Sequence, residues 1–178
     1  MSLSGASMPR LERLCGHPLY KREMQALEIY ERGREFCRHG WDHLLDVARI
    51  AYILALEQQL DIPKDVVYGM AFIHDIGRAA QYRDGTDHAL AGKRLAQQIL
   101  PEAGYSSEEA GWICGAVAGH RSTQKTDGMQ AETMPKDPAW KLAEILYQAD
   151  KLSRRCYDCP ASGACYWPED RKIQTIIY

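Results

Sequence analysis

Apolar residues recur at three- and four-residue spacing along most of this chain, which is the period of an amphipathic α-helix. No segment alternates apolar and polar residues in the way that a half-buried strand does. The predicted helices cover residues 20–37, 42–60, 64–76, 88–100, 107–120 and 138–154. The pattern therefore predicts an all-α fold.

Short motifs mark several of the predicted helix ends. Ser106 and Glu109 have the spacing of a capping box, and Asp137 before Pro138 pairs an N-cap residue with a proline at the first helical position. Gly104 follows the fourth predicted helix, where a glycine in the left-handed conformation commonly ends a helix. These signals predict helix boundaries independently of the apolar spacing.

The length of 178 residues fits one hydrophobic core, and no repeat or flexible linker divides the chain. We expect a helical domain over residues 8–155 and a cysteine-containing tail over residues 156–178. Residues 1–7 are small and polar and precede a second methionine, so we interpret them as a cloning remnant. The sequence therefore predicts a single domain with a short C-terminal extension.

Charge and hydropathy exclude several partners. The formal net charge is −2, and no broad basic stripe exists that could follow a nucleic-acid polymer. The apolar runs are too short to span a bilayer, and the N-terminus lacks the layout of a signal peptide. We therefore expect a cytoplasmic protein that binds neither membranes nor long nucleic acids.

Ionisable residues lie on the apolar stripes of five predicted helices. They are His43, His74, His88, His120 and Asp150. One inward-facing histidine is usually a core residue hydrogen-bonded to a carbonyl, but burial of Asp75 and Asp150 is unfavourable without a compensating positive charge. No basic residue shares their stripes, so a divalent metal is the candidate counterion. Imidazole and carboxylate together suit Zn, Fe, Mn or Ni.

The order of these residues resembles a known signature. His43, the pair His74-Asp75, and Asp150 resemble the H…HD…D pattern of the HD superfamily of metal-dependent phosphohydrolases, and residues 74–77 read as its HDIG form. The resemblance covers roughly residues 36 to 155 and implies a single-domain HD-type helical bundle. It also implies that His43, His74, Asp75 and Asp150 bind a divalent ion.

A second ion is implied by the same resemblance. His88 and His120 fall where HD proteins with dinuclear sites carry additional histidines, as in the symmetrical diadenosine-tetraphosphate hydrolases. Asp75 would then bridge two ions. Arg121 follows His120 where some dinuclear relatives have another residue, and no GYP motif is present, which disfavours a cyclic-dinucleotide phosphodiesterase.

The resemblance implies cleavage of a phosphoester or phosphoanhydride bond in a small nucleotide or dinucleotide by a metal-activated water. His74 and Asp75 are the predicted catalytic residues. The cations that follow predicted ligands are candidate phosphate contacts, namely Arg78, Arg121 and Lys151. We interpret His39 as an ordinary surface histidine. The motifs carry no information on the oligomeric state.

Two other functions remain open at this point. Some HD proteins use a similar set of ligands as di-iron oxygenases, and His and carboxylate ligands alone do not distinguish the two chemistries. A non-catalytic sensor of nucleotides or redox state is the third hypothesis, although such a protein has no need for an inward-facing Asp75.

The C-terminal tail carries a separate motif. Cys156, Cys159 and Cys165 form a C-x2-C-x5-C pattern in a segment broken by Pro160 and Gly163. This spacing suits Zn²⁺ or an iron–sulfur centre, and the tail resembles that of a subset of bacterial HDIG proteins. A fourth ligand is missing locally, and Cys15, Cys37 or a water could complete the set. Free thiols in a C-terminal lid are the alternative.

Overall fold

The computed structural model describes residues 7–119 and 137–178, which form α-helices and 3₁₀ turns without a β-strand. The α-helices are α1 (Pro9–Gly16), α2 (Pro18–Tyr30), α3 (Trp41–Glu57), α4 (Lys64–Ile73), α5 (Arg78–Asp84), α6 (His88–Ala103), α7 (Ser107–Gly119) and α8 (Pro138–Leu152). The 3₁₀ turns are Cys156–Asp158, Ser162–Ala164 and Glu169–Arg171. Within these residues, no helix has both the length and the apolarity needed to cross a bilayer. The all-α prediction is confirmed.

The helices surround one hydrophobic core. Helix α7 contacts α6 and α8, while α3 contacts α4 and α8, and α1 contacts α2, α4 and α6. Five of these helices contribute side chains without exposed surface, for example Val47, Met70, Ile99, Ile113 and Leu146. This packing brings together the start of α3, the end of α4, the start of α6 and the end of α8, which carry the ionisable residues singled out above.

The predicted helix ends form as the motifs indicate. The Ser106 backbone N–H donates to Glu109 Oε2 at 2.8 Å, and the Glu109 N–H donates to Ser106 Oγ at 3.2 Å. Asp137 accepts a hydrogen bond from the Ala139 N–H at 3.0 Å. Gly104 ends α6 in the left-handed conformation, with φ of 91°. Local polar contacts were sufficient to fix these boundaries.

The structure differs from the predicted helices in four main places. Helices α1 and α5 were not predicted, because their eight and seven residues are too few to show a clear period. The predicted helix over 20–37 ends at Tyr30, and the predicted helix over 64–76 ends at Ile73, before a turn at residues 74–77. At the end of α2, Glu31 accepts a hydrogen bond from the His39 backbone N–H at 2.7 Å, and this contact holds the chain outside the helix. Apolar spacing carries no signal for such contacts.

Arg10 on α1 connects three helices through charged hydrogen bonds. Its guanidinium donates to both oxygens of Asp65 on α4, at 2.6 and 2.7 Å, and to Glu109 on α7 at 2.6 Å. The hydrogen bond from Arg10 lowers the pKa of Asp65. Burial raises the pKa of Glu109, but the hydrogen bonds from Arg10 and Ser106 together leave it lowered. The network therefore contributes stability only while both carboxylates are ionised.

We expect Arg10→Met to lower the free energy of unfolding at neutral pH by about 1–3 kcal/mol, because partly buried charged hydrogen bonds are lost. Both carboxyl pKa values are depressed in the folded state, so this stability is present above their unfolded pKa of about 4 and is lost as the pH falls through the folded values. The difference between variant and wild type should therefore shrink below about pH 3. Urea denaturation at both pH values measures it.

Arg49→Met, at an exposed arginine of α3, is the matched control. It should leave both the stability and its pH dependence close to wild type. An Arg10→Met difference that stays constant with pH would show that apolar packing, and not the ion pairs, joins these helices.

Candidate metal centre

Asp75 lies at the centre of the ionisable cluster, with 1% of its surface exposed. Its Oδ2 is 3.2 Å from His74 Nε2 and 3.7 Å from His43 Nε2. One ligand atom from each of these three residues lies within 4.8 Å of the others. Asp150 joins them through Oδ1, which is 3.6 Å from His43 Nε2. Residues from α3, the turn after α4 and α8 therefore converge, as the motif predicted.

Hydrogen bonds to the outer ring nitrogens orient two of the histidines. The carbonyl of Ala71 lies 2.7 Å from His74 Nδ1, and a carbonyl only accepts, so Nδ1 carries a proton. Ser153 donates its hydroxyl proton to the Asp150 carbonyl at 3.0 Å, and its Oγ lies 3.4 Å from His43 Nδ1. In the neutral rings, both Nε2 atoms then present lone pairs towards Asp75, which is the arrangement of metal-binding histidines.

The buried atoms at this point fit a cation. Among the described residues, neither oxygen of Asp75 accepts a well-aligned hydrogen bond, and His43 Nε2 also has no hydrogen-bond partner. Buried polar atoms in this state are unfavourable unless something compensates them. Two carboxylates and several imidazoles form the donor set of Zn, Fe, Mn or Ni, so the residues present fit a divalent metal.

The carboxylates remain ionised despite their burial. Burial raises the pKa of Asp75, but the neighbouring His74 and Arg78 hold it well below its usual range. Burial likewise raises the pKa of Asp150, and the neighbouring Lys151 and His74 lower it to about 2. Both groups are therefore anionic at neutral pH and available to bind a cation.

Arg78 corrects the expectation that no basic residue compensates the buried carboxylates. Its Nε lies 2.7 Å from Asp75 Oδ1, at the i,i+3 spacing that places two side chains on the same face of a helical turn. Lys151 forms an ion pair with Asp150 and lies over the ring of Tyr147. Both cations, which the sequence analysis interpreted as phosphate contacts, border the centre, and their contact with phosphate stays a prediction.

His39 is buried, so its interpretation as a surface histidine was wrong. Its Nδ1 lies 2.5 Å from Glu31 Oε1, and its Nε2 is 3.9 Å from Asp75 Oδ2. Glu31 is itself 3% exposed and accepts a hydrogen bond from Tyr82 at 2.9 Å. Both residues belong to an irregular segment, where no helical stripe reveals which side chains point inward. Sequence reasoning therefore missed the fourth imidazole of this centre.

His88 approaches the opposite oxygen of Asp75. It is fully buried at the first position of α6, and its Nε2 lies 4.0 Å from Asp75 Oδ1. The three other histidines approach Oδ2 instead. His120 and Arg121 lie outside the described residues, so their predicted roles stay predictions.

A cavity of about 660 Å³ opens beside the centre. His39, His43 and Asp150 form part of its wall, and the cavity extends to the C-terminal tail, where Cys156, Cys159 and Cys165 also line it. None of the six cysteines forms a disulfide. The predicted metal or iron–sulfur site in the tail therefore shares a cavity with the histidine and aspartate centre.

Comparison with known proteins agrees with this geometry. The sequence profile of the HD domain matches residues 40–155, which include every predicted ligand of the histidine and aspartate centre. The chain belongs to the HD domain family. As a member with the His43, His74 and Asp75 cluster in place, it is a metal-dependent phosphohydrolase. The described structure extends the HD domain with α1 and α2 before it and with the cysteine tail after it.

Individual relatives support the assignment of the fold. An uncharacterized protein of Clostridium beijerinckii is 35% identical over 149 residues, 84% of this chain and 86% of that protein. Ribonuclease Y 1 of Pediococcus pentosaceus is 31% identical over 91 residues, but the match spans 51% of this chain and only 15% of that enzyme. A crystal structure of a predicted HD superfamily hydrolase from an uncultured Thermotogales bacterium has a TM-score of 0.59 at 20% identity, over 86% of this chain and 79% of that one.

Proposed function

We propose that this HD domain protein hydrolyses a phosphoester or phosphoanhydride bond of a small nucleotide or dinucleotide. The observation that carries the proposal is that the histidine and aspartate centre opens on a cavity of about 660 Å³ with a mainly basic wall. This volume lies within the range of about 300–1,000 Å³ that is usual for sites of small ligands. A nucleotide with one or more phosphates fits such a space.

The lining of the cavity suits both parts of a nucleotide. Eight basic and five acidic side chains of the described residues border it, so an anionic ligand is favoured. Aromatic side chains also line it, and these are Phe36, Tyr147, Tyr166 and Trp167. Cations bind phosphate oxygens, while aromatic rings stack on a nucleobase.

We assign the metal ligands as His43, His74, Asp75 and Asp150 for one divalent ion. An ion held there would activate a water and polarise a phosphoryl oxygen. Asp75 positions the surrounding histidines, and Ser153 holds the ring of His43 towards Asp150. The protein thus supplies a preformed ligand set whose orientation does not depend on the substrate.

A second ion is proposed on the opposite side of Asp75. His88 faces Oδ1, whereas His43 and His74 face Oδ2, which is the division that a bridging carboxylate requires. Arg78 provides a positive charge at the same Oδ1. Two ions require Arg78 to leave Asp75 and become available for substrate phosphate, whereas one ion leaves the ion pair in place. Metal stoichiometry therefore distinguishes these two arrangements.

Arg78 and Lys151 are proposed to contact phosphate oxygens. Both line the cavity, and both are held beside ligand carboxylates by ion pairs. Their place at the junction of the centre and the cavity supports this role, because phosphate must meet the metal there. Tyr147, three residues before Asp150, is the aromatic side chain proposed to stack on the base.

The enzyme purified without chelators should contain divalent metal and release phosphate or nucleotide from at least one of three substrates. These are diadenosine tetraphosphate, a nucleoside monophosphate and a generic phosphodiester. Preference for the first would support the dinucleotide hydrolase branch. Bound iron whose optical spectrum changes with dioxygen, together with no hydrolysis, would contradict the proposal and indicate an oxygenase.

We expect Tyr147→Ala to raise KM for a nucleoside monophosphate about tenfold, since loss of base stacking costs about 1–3 kcal/mol. KM for ribose phosphate, which lacks a base, should change little. Tyr30→Ala, at an exposed tyrosine stacked on Tyr82 and outside the cavity lining, is the control. Equal effects of Tyr147→Ala on both substrates would argue against base recognition by this ring.

A further inference from the structure

The loop between α2 and α3 brings a fourth cysteine to the C-terminal tail. Cys37 lines the same cavity wall as Cys156, Cys159 and Cys165, although more than one hundred residues separate it from them in sequence. The neighbouring rings of Phe36 and Tyr166 contact edge to face, with centroids 6.2 Å apart. This contact joins the residue before Cys37 to the residue after Cys165.

Electrostatic effects agree with this placement. Burial raises the pKa of Cys37, the charge of Arg154 lowers it, and Cys156, Cys159 and Cys165 raise it. Cys37 is exposed, whereas Cys15, the other candidate for a fourth ligand, is half-buried and packs against the hydrophobic core. The structure therefore distinguishes between the two cysteines that the sequence left open.

The backbone holds the tail cysteines in successive tight turns. The Cys159 N–H donates to the Cys156 carbonyl at 3.4 Å, and the Ser162 N–H donates to the Cys159 carbonyl at 3.0 Å. Across from them, Arg34 Nε donates to the Cys37 carbonyl at 2.8 Å. Two ordered segments thus present their cysteines to one space.

Positive charges surround this space. Burial raises the pKa of Cys37, and the charge of Arg154 partly offsets this rise. The Arg154 guanidinium lies over the ring of Trp167, with 4.1 Å between Cζ and the ring centroid. Lys172 is buried, donates to the Ser162 carbonyl at 2.7 Å and forms an ion pair with Glu169. Both cations therefore lie beside the segments that carry the cysteines.

The arrangement of the cysteines does not match a closed site for a single ion. Four thiolates around one zinc ion, at about 2.3 Å each, must lie within roughly 4 Å of one another. Among the described residues, no three of the cysteine sulfurs lie within 4.8 Å of each other. An iron–sulfur cluster contains several metal and sulfide atoms and therefore separates its four cysteines more widely.

We propose that Cys37, Cys156, Cys159 and Cys165 bind an iron–sulfur cluster. The cluster joins the tail to the loop that also carries His39 into the HD centre, and it forms part of the cavity wall. A thiolate-ligated cluster would bind by ligand exchange: each cysteine sulfur forms a bond to iron as a thiolate of the donor leaves that iron, the cysteine's thiol proton passes to the leaving thiolate, and no residue is oxidised or reduced.

The full chain, purified without oxygen and also reconstituted with iron and sulfide, should contain acid-labile sulfide and show the broad charge-transfer absorption of a cluster. Cys37→Ser should lose most of the sulfide and of this absorption, as should Cys156→Ser. Cys15→Ala should retain both. Circular dichroism verifies that each variant is helical.

Sulfide is the decisive readout, because the histidine and aspartate centre contains none. Asp75→Asn should therefore keep the cluster while losing the metal of the HD centre, so the two proposals fail separately. Zinc without sulfide at the cysteines, no sulfide even after reconstitution, or full cluster content in a helical Cys37→Ser variant would each overturn the inference.

Discussion

Asp75→Asn should reduce kcat/KM for the best phosphate substrate at least about a thousandfold, which corresponds to about 4 kcal/mol of transition-state stabilisation. The side chain keeps its shape but loses the charge on which four histidines and Arg78 converge. Metal content per chain, measured by elemental analysis, should fall in parallel. Saturating substrate should not restore activity, because the substitution changes the metal ligands and leaves the substrate-binding residues in place.

Asp61→Asn is the matched control, since Asp61 is an exposed aspartate before α4 and lies outside the cavity lining. It should retain both metal and activity. If folded Asp75→Asn protein keeps wild-type turnover, the hydrolytic assignment of this centre is wrong. Retention of its function in the host without turnover would instead support the non-catalytic sensor.

Gly77→Ala should destabilise the fold by about 3 kcal/mol or more, although its φ of −72° suits any residue. A Cβ at this position would meet the His88 carbonyl oxygen at 2.0 Å and the Gly92 nitrogen at 2.5 Å. Both are backbone atoms of α6, so a side-chain rotation cannot relieve the contact. Helix α6 must move away, and His88 must move with it. Urea denaturation measures the stability, and elemental analysis measures the accompanying loss of metal.

Gly111→Ala provides the control within a helix. Nothing lies within 4 Å of a Cβ at Gly111 in α7, so this substitution should stabilise the protein by about 0.5–1 kcal/mol through helix propensity. If Gly77→Ala were as stable as wild type, the close approach of the HDIG turn to α6 would be incorrect.

The predicted ligand set illustrates how far sequence patterns reach. His43 and Asp150 lie on helices, and His74 directly follows α4, so the apolar period identifies their inward face, and the structure brings them towards Asp75. His39 was missed because it follows the predicted helix over 20–37, and Glu31 was missed because the chain leaves α2 there and does not continue that helix. The conformation of the segment between α2 and α3 depends on contacts with residues far away in the sequence, such as Tyr82.

The charge compensation of the buried carboxylates was also only partly predictable from the sequence. The sequence indicates that the buried carboxylates need a positive charge, since that cost follows from residue type and burial alone. A cation was sought on the helical stripes, and Arg78, three residues after Asp75, was missed as the source of part of that charge.

The sequence by itself determined the helices, several of their caps and the polar residues on their apolar faces, because spacing and capping act over a few residues. The tertiary structure decided which atoms meet: His88 at one oxygen of Asp75, His39 at the other, and Cys37 beside the cysteine tail. Those contacts depend on how the helices pack and where the irregular segments fold back. No local pattern encodes them, since the partners are separated in sequence and are joined only by the closing of the common core.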